Sequence, residues 1–277
     1  MNNINLQNLI KMKDRIPFLY LDRCKIVCKN DNICVFKDGE KFFVPVQKVM
    51  NFILGTNCSI STPAIFLMYK SNSHIHFAKR DGLYYYTPAI GSTYDNKNAE
   101  QHSFCFHNQK MKIIEKMLFL RFNEDFNVSS VEQARGIEGS RIRTFYQNIS
   151  KKHSIDWGGR KFGEKVDKLN NFITLSNTFL YSISTTVIHS LDYLTDLGFL
   201  HTGQRMSFVF DFADIFKFKF FIPMCFETHI NKGEKQDLEI NFRDVIKKEN
   251  IIDKMINVLD FLFWEIKIDA DWNHIKN

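Results

Sequence analysis

The chain has 277 residues, of which 44% are hydrophobic, 14% aromatic and 25% charged. This composition excludes a disordered chain and supplies enough apolar surface for two cores of ordinary domain size. The formal net charge of +6 favours an anionic partner such as nucleic acid, without identifying one. No stretch reaches the roughly 18 uncharged apolar residues of a membrane span, and the N-terminus lacks the pattern of a signal peptide. We therefore expect a cytoplasmic protein without a membrane partner.

The six cysteines are scattered along the sequence and form no Cys-x-x-Cys pair. That pattern is typical of reduced thiols in the cytoplasm rather than of a disulfide framework. His102, Cys105 and His107 could form part of a zinc site, but zinc needs a fourth ligand and none lies in register. Packing is therefore the favoured interpretation of these residues.

The first 88 residues contain the short apolar and alternating runs that indicate β-strands. Turn residues separate the runs, and Asp38-Gly39 between two of them is typical of a tight hairpin. A single short helix is predicted to begin with Thr62 as its cap and Pro63 at its first position. The predicted strands cover residues 18–21, 24–28, 33–36, 42–44, 74–77 and 83–86.

His74 and His76 share one face of the strand predicted over residues 74–77. This strand should form a hairpin with residues 83–86, turning at Arg80-Asp81-Gly82. Two imidazoles at this spacing could bind a metal, but a paired strand at the protein surface is the favoured interpretation.

Residues 89–101 interrupt these patterns with a run of small and polar residues, Gly91-Ser92-Thr93-Tyr94-Asp95-Asn96-Lys97-Asn98. We interpret this segment as a linker between an N-terminal β domain, residues 1–88, and a C-terminal α-helical domain, residues 102–277. The predicted fold class is α+β with two domains. The first domain is a β-sheet domain with one short helix, and the second is an all-α domain.

From about residue 102 onward, apolar residues recur with helical spacing. Ser130 and Gln133 fit a capping box that opens one of these helices. Another apolar helix is expected to begin near Ser207 and to end at Pro223. The other predicted helices cover residues 110–122, 130–150, 169–197 (as one helix or two), 242–248 and 251–266.

Asp211 and Asp214 lie three residues apart in the helix that begins near Ser207, so they share a face. Carboxylates among phenylalanines cost several kcal/mol unless a positive charge neutralises them. With His201 in the preceding loop, these oxygen and imidazole donors suit Mg²⁺ or Mn²⁺. The alternative is an acid pair on a solvated helix face, with His201 as an ordinary loop residue.

Glu138 lies between Gly136 and Gly139 in the helix predicted over residues 130–150. Each glycine costs on the order of 1 kcal/mol relative to alanine inside a helix, which indicates that another group must approach the backbone closely. Tight helix packing is the alternative explanation. Arg135 and Arg141 lie three residues either side of Glu138, where they could pair with it or meet phosphates.

Three stretches occur in this order: Arg135 to Arg143 around Glu138, His201-Thr202-Gly203, and Ser207 to Asp214. They are accompanied by Lys13-Asp14-Arg15, Ser130-Val131-Glu132-Gln133, Trp157-Gly158-Gly159-Arg160 and Leu180-Tyr181. Together they resemble the Cas1 family, the integrase of CRISPR adaptation, and most closely its type I-E branch. The resemblance spans residues 11 to about 230.

The resemblance implies an N-terminal β domain that dimerises and contacts DNA, and a C-terminal α-helical catalytic domain. It implies that Glu138, His201 and Asp214 ligate Mg²⁺ or Mn²⁺. Asp211 would complete the catalytic set by supporting the site or holding a metal-bound water. His201 could shuttle a proton instead of binding metal, because an unperturbed imidazole titrates near neutrality.

The implied activity is metal-dependent transesterification, in which 3′-OH ends of protospacer DNA are joined into the repeat of a CRISPR array, with DNA endonuclease capability. A homodimer would act on double-stranded DNA together with a Cas2 dimer. One alternative is a metal-dependent nuclease selective for branched DNA, and another is a non-catalytic DNA-binding scaffold whose acids pair with Arg135 and Arg141. The candidate DNA-binding residues are Arg135, Arg141, Arg143, Arg160, Tyr181, Arg205 and Lys217.

Overall fold

The structure, a computed structural model, describes residues 14–78, 84–87, 97–106, 109–161 and 166–263. Its contacts divide the chain into two compact units, residues 1–90 and 91–277. The described part of the first unit is built from strands with one α-helix, and that of the second is helical. The predicted α+β fold class is confirmed.

The first unit contains two four-stranded sheets. In one sheet, β5 (Asn51–Leu54) pairs in parallel with β1 (Leu19–Leu21) and β7 (His74–Ala78). β8 (Tyr84–Thr87) then pairs antiparallel with β7. The other sheet has the order β4-β3-β2-β6, with β2 (Lys25–Lys29) and β3 (Asn32–Lys37) forming an antiparallel pair. β4 spans Glu40–Val44 and β6 spans Ser59–Ile60.

A hydrophobic cluster of buried residues lies inside the described part of this unit. Ile26, Phe52 and Met68 are fully buried in it and belong to the second sheet, the first sheet and the helix α1 (Thr62–Lys70). All four residues of β5 are buried, as expected of a strand that lies between two parallel neighbours. The α1 helix begins one residue earlier than predicted, with Ser61 in the cap position.

The second unit opens with α2 (Lys97–Phe106) and α3 (Lys110–Phe122), followed by two long helices, α4 (Val131–Lys152) and α5 (Lys168–Ser190). Side-chain caps position both long helices, because Ser130 accepts a hydrogen bond from the Gln133 backbone and Asp167 accepts one from the Asn170 backbone. The remaining helices are α6 (Ser207–Phe216), α7 (Ile222–Ile230), α8 (Lys235–Lys248) and α9 (Ile251–Phe263).

The helix that carries the two acids does not end at Pro223, as the sequence predicts. It ends at Phe216, and a π-helical segment, Lys217–Phe221, leads directly into α7. Pro223 lies in the first turn of α7, where its missing N–H leaves no helical hydrogen bond unmade. A proline near a helix start is therefore compatible with a continuous helical path.

Several other predictions need correction. The strands β5 and β6 were not predicted, because runs of four and two residues carry too little periodicity. His74 and His76 are 2% and 0% exposed, so their strand is buried, and a surface strand is the wrong interpretation. Helix α2 begins at Lys97, inside the segment interpreted as a linker.

Several predictions fall partly or wholly outside the described residues. Most of the linker, residues 89–96, and the last three residues of the helix expected over 251–266 lie outside them. The hairpin turn at Arg80-Asp81-Gly82 does so too, although the strands on either side of it are paired as predicted. His107 also lies outside them, so the possible zinc cluster is described only in part. Of that cluster, Cys105 is buried and His102 packs against Phe106 at 4.6 Å between ring centroids. No helix in the described ranges is long and apolar enough to cross a membrane.

Candidate active site

Helix α6 carries both candidate acids into the interior of the helical unit. Asp211 is 0% exposed and Asp214 is 6% exposed, while Phe208 and Phe212 on the same helix are fully buried. The alternative of a solvated acid pair is therefore wrong. Two ionised carboxylates at this depth need compensating hydrogen bonds or positive charges, because the low-polarity interior does not solvate them.

The loop that leads into α6 donates hydrogen bonds to the buried Asp211 carboxylate. Its Oδ2 accepts hydrogen bonds from the backbone N–H groups of Phe199 at 2.5 Å and Leu200 at 3.0 Å. Its Oδ1 accepts from the His201 backbone at 2.9 Å and lies 2.7 Å from the His201 ring atom Nδ1. One side chain thus holds three consecutive peptide groups and one imidazole in place.

Gly198 makes that tight loop possible. A Cβ atom at this position would lie 2.2 Å from the main-chain oxygen of His201 and 2.7 Å from Ser207. Because real Cβ atoms do not approach other atoms so closely, only glycine fits here. The His201 loop and the start of α6 can therefore pack directly against each other.

His201 is partly exposed, with its ring oriented by Asp211. When Nδ1 donates to a carboxylate, the neutral ring has its lone pair on Nε2, which can bind a metal or accept a proton. The hydrogen bond to Asp211 raises the pKa of His201 against the opposing effect of burial, and the negative charges of Asp211, Asp214 and Glu138 raise it further. The pKa of the His201 imidazole therefore depends on the charges of all three candidate acids.

Glu138 projects from α4 and is 8% exposed. Its Oε1 contacts Nη1 of Arg121, which lies at the C-terminal end of α3. The other terminal nitrogen of Arg121, Nη2, lies 3.8 Å from Asp214 Oδ2 and 3.5 Å from the main-chain oxygen of Asp211. One guanidinium therefore brings together the carboxylates of α4 and α6.

Asp214 has a second cationic neighbour on its other oxygen. Lys217, in the first turn of the π-helical segment, contacts Asp214 Oδ1 through Nζ. Burial raises the pKa of Asp214, but the charges of Lys217 and Arg121 outweigh that effect and hold this pKa below its ordinary value. The pKa of Lys217 is raised, because the Asp214 charge outweighs the burial that would lower it. Both groups therefore stay charged.

Sequence reasoning did not identify Arg121. The apolar residues before it on α3 could have indicated its burial. Met117 and Leu118 lie four and three residues before Arg121 on the same helix face, and both are buried. A charged residue that continues a buried apolar stripe needs a buried partner of opposite charge. Pairing of the site acids with Arg135 and Arg141, one of the alternatives that the sequence leaves open, is not found among the described residues, where Arg121 takes that position.

Arg135 instead holds the His201 loop. Its Nε and Nη2 donate hydrogen bonds to the main-chain oxygen of Leu200 at 2.9 Å and 2.5 Å, and Nη2 lies 3.4 Å from Thr202 Oγ1. The loop is thus held from two sides, by the Asp211 carboxylate on its N–H groups and by Arg135 on a carbonyl. This contact links α4, which carries Glu138, to the segment that carries His201.

The other candidate DNA-binding residues differ in their surroundings. Arg141 pairs with Glu124, and Arg160 donates to Asn170 Oδ1 at 2.8 Å and to Thr174 Oγ1 at 3.2 Å. Lys217 lies against Asp214 and near the Tyr181 ring, at 5.9 Å from its centroid. Arg143 and Arg205 are exposed. DNA binding by all seven stays a prediction.

Neither explanation that the sequence offers for Gly136 and Gly139 is found among the residues that the structure describes. A Cβ atom at either position would meet nothing within 4 Å, and both residues are exposed on α4. Tight helix packing is therefore wrong as the reason for these glycines. Because these positions carry no side chain, the α4 backbone beside Glu138 forms an open strip that a partner molecule can approach.

The donors fit a hard divalent cation in kind. Two buried carboxylates, Glu138 and Asp214, lie against one cationic group, and the imidazole of His201 is close enough to respond to both charges. As placed, however, no group of three or more His, Cys, Asp or Glu side chains in the described part of the chain is assembled for a metal ion. The guanidinium of Arg121 supplies the positive charge at this position.

Comparisons with known proteins identify a family that this chain resembles over most of its length. The profile of a family described as "CRISPR associated protein Cas1" matches residues 18–123 and 107–257. A "CRISPR-associated endonuclease Cas1" of Escherichia coli K12 is 30% identical over 263 residues, covering 91% of this chain and 86% of that protein. A protein of the same name from Geobacter sulfurreducens is 29% identical over 261 residues, covering 91% and 85%.

Solved structures share the fold. The "TtCas1-DNA complex" superposes with a TM-score of 0.78 at 23% identity, covering 91% of this chain and 94% of that chain. A "Casposase bound to integration product" gives 0.74 at 15% identity, covering 91% and 92%. A "Cas6-RT-Cas1--Cas2 complex" gives 0.68 at 15% identity, covering 88% and 34%. Assignment to the type I-E branch stays a prediction, but the match over most of the chain shows that the protein belongs to the Cas1 family.

Proposed function

We propose that this protein is a metal-dependent DNA integrase of CRISPR adaptation, which joins 3′-OH ends of protospacer DNA into the repeat of an array. The observation that carries the proposal is the meeting of Glu138 and Asp214 on one buried guanidinium, beside the His201 ring. Three remote parts of the sequence supply these groups. Such convergence of ionisable groups in one place is typical of a catalytic site rather than of a structural ion pair.

The chain's own residues have distinct tasks in this proposal. Glu138 and Asp214 provide the carboxylate ligands, and His201 provides Nε2 as a ligand or as a proton acceptor. Asp211 keeps the imidazole proton on Nδ1 and holds the loop, so it acts through His201 rather than on the DNA. Arg135 fixes the same loop from the α4 side.

A bound Mg²⁺ or Mn²⁺ would polarise the target phosphate, lower the pKa of the attacking hydroxyl and stabilise charge on the leaving oxygen. The described residues need supply no covalent nucleophile, because the 3′-hydroxyl of the incoming DNA attacks the phosphorus. A proton leaves that hydroxyl, and the 3′ oxygen of the cut repeat strand leaves with the electron pair of the broken bond. The number of phosphodiester bonds is unchanged.

Double-stranded DNA and Cas2 are the partners that we propose. One similar solved structure is titled as a DNA complex, and another is titled as a complex containing Cas2. The net charge of +6 supports binding to a polyanion. We further propose that the protein acts as a homodimer together with a Cas2 dimer, and that its binding to DNA weakens as salt rises.

An assay of joining into supercoiled array DNA, with Cas2 and with or without Mn²⁺, tests the proposal. We expect joined products only with the metal, and loss of joining in Asp214→Ala with most DNA affinity retained. Asp244→Ala provides a matched control, because Asp244 is exposed on α8. Equal joining by Asp214→Ala would contradict the proposed role of Asp214.

The products also distinguish the alternatives. Several relatives carry the name endonuclease, which favours a metal-dependent nuclease acting on branched DNA as the second candidate function. Nicks in a branched substrate without any joining into the array would support that function. DNA binding without strand breakage or joining, in the presence of metal and Cas2, would support a non-catalytic scaffold.

A further inference from the structure

The Arg121 side chain is buried at the centre of the site, with 1% of its surface exposed. Its two terminal nitrogens face Glu138 Oε1, Asp214 Oδ2 and the main-chain oxygen of Asp211. Its third nitrogen, Nε, is buried and has no hydrogen-bond acceptor among the described residues. The guanidinium is therefore held by two carboxylates rather than by a complete set of hydrogen bonds.

Arginine is suited to holding such acids permanently. A guanidinium does not lose its proton in proteins, and its planar fork can contact two acceptors at once. Without it, Glu138 would lose the cation that contacts it, and Asp214 would retain only Lys217 on its Oδ1. Removing one partner from a buried ion pair is strongly destabilising, because the remaining charge is left uncompensated.

Arg121 contacts one oxygen of each proposed ligand carboxylate, Glu138 Oε1 and Asp214 Oδ2. A divalent ion held by the same two carboxylates would compete with the guanidinium for the space between them, because two positive charges repel at close range. Lys217 is not in the same position, because it lies on the other oxygen of Asp214. A metal ion would therefore compete with Arg121 rather than with Lys217.

We propose that Arg121 is an intramolecular counter-cation that occupies the ligand carboxylates of this site until a divalent metal displaces it. The inference rests on the metal site of the proposed function. A cavity of about 460 Å³ is lined by Arg121, by Asn123 and by Glu124, which pairs with Arg141, so there is space beside the site. Arg121 thus supplies the positive charge between the two carboxylates before metal binds and lowers the apparent metal affinity.

The proposal makes a direct prediction about binding. When the binding-competent state is only a fraction of the population, the apparent affinity falls by that fraction. Replacing Arg121 by a neutral side chain removes the competitor, so Arg121→Gln should bind Mn²⁺ tighter than the wild type by about tenfold or more. The same variant should be less stable than the wild type before metal is added, and should gain more thermal stability from Mn²⁺.

The experiment is a Mn²⁺ titration of the full chain without DNA, followed by electron paramagnetic resonance of free Mn²⁺ and by the thermal unfolding midpoint. Arg243→Gln is the matched control, since Arg243 pairs with Glu239 within α8 and should leave the affinity unchanged. Asp214→Asn should abolish the tight site. Affinity equal to or weaker than wild type in a folded Arg121→Gln overturns the proposal and assigns Arg121 to support of the bound metal.

Arg121→Lys keeps the test decisive should Arg121→Gln fail to fold. Lysine retains one positive charge but cannot contact both carboxylates with a planar fork. We expect it to bind Mn²⁺ more tightly than the wild type, and unchanged or weaker binding contradicts the proposal. If neither the wild type nor any variant binds Mn²⁺, the metal site itself is refuted along with the role of Arg121.

Discussion

Asp211 is embedded in a network of donors that determines the geometry of the His201 loop. It accepts three backbone hydrogen bonds and lies against the His201 ring, whereas Asp214, one turn later, contacts the cationic side chains of Arg121 and Lys217. The two acids therefore have different surroundings, although they are identical in type and lie on the same helix face. Asp211 positions the loop, and Asp214 is the acid that we propose as a metal ligand.

The Asp211→Asn variant should lose stability. An asparagine has one acceptor oxygen in place of two, so some of the three N–H groups lose their partner, and hydrogen bonds to charged groups contribute about 1.5–3 kcal/mol. We expect a loss of about this size in the free energy of unfolding by urea. Asp244→Asn, on the exposed face of α8, is the control. A change below about 0.5 kcal/mol would show that the loop does not depend on this carboxylate.

The role of Arg135 can be separated from that of a DNA-binding arginine. If it holds the loop through Leu200, Arg135→Gln should reduce joining while leaving DNA affinity and its dependence on salt unchanged. A phosphate contact would instead reduce affinity and lower the slope of log affinity against log salt by about one. Fluorescence anisotropy at several salt concentrations, with exposed Arg143→Gln for comparison, distinguishes the two roles.

At the scale of elements, the join between α6 and α7 determines which side chains face the site. A π-helical turn at Lys217–Phe221 inserts an irregularity where a regular helix would continue. π-Helical turns are rare and occur frequently at functional sites. Here the irregular turn begins with Lys217, the residue that neutralises Asp214. The element therefore supplies a charge to the site in addition to joining two helices.

Helix α4 retains two glycines that reduce its stability. Because a Cβ atom meets no neighbour at either position, Gly136→Ala and Gly139→Ala should each stabilise the protein by roughly 0.5–1 kcal/mol. If the open strip serves DNA, the same variants should weaken DNA binding. Thermal unfolding and anisotropy measure the two effects, and Gly198→Ala, whose Cβ has no room, should be strongly destabilising. Destabilisation by Gly136→Ala would contradict the prediction.

At the scale of the whole molecule, the helical unit buries weak acids in their neutral forms. Burial raises the pKa of Cys225 to about 12 and that of Tyr146 to about 12. Tyr146 packs on Trp157 at 4.8 Å between ring centroids, and Trp157 packs on Phe226, so the segment after α4 is attached to α7. Ionising these groups requires the packing between the helices to open.

Stability should therefore fall in alkaline solution. Because the folded-state pKa values are raised, the stabilisation is fully present below the unfolded-state values of 9.0 and 10.0. It is lost as the pH rises toward about 12, at up to about 1.4 kcal/mol per pH unit for each group. Urea unfolding between pH 7 and 10.5 measures the slope, and Cys225→Ala should make it shallower. A flat profile across this range would refute the prediction.

Local pattern was sufficient for much of the architecture. Helix α3 spans Lys110–Phe122 as predicted from its apolar periodicity, and Ser130 caps α4 as the capping box indicates. Short-range signals are reliable here, because helix periodicity and caps depend on residues within one or two turns. The same locality explains the errors at β5, β6 and Pro223, where packing against distant segments decides the structure.

The amino-acid sequence by itself determined the two-part α+β organisation, the extent of α3 and the resemblance carried by the motifs around Glu138, His201 and Asp214. Only the tertiary structure decided that Arg121 lies between Glu138 and Asp214, and that Asp211 anchors a loop. The contacts of Arg121 join it to residues 17 and 90 positions away in the chain. The charge of a side chain follows from the residue type, but the partner that neutralises it depends on how the helices pack.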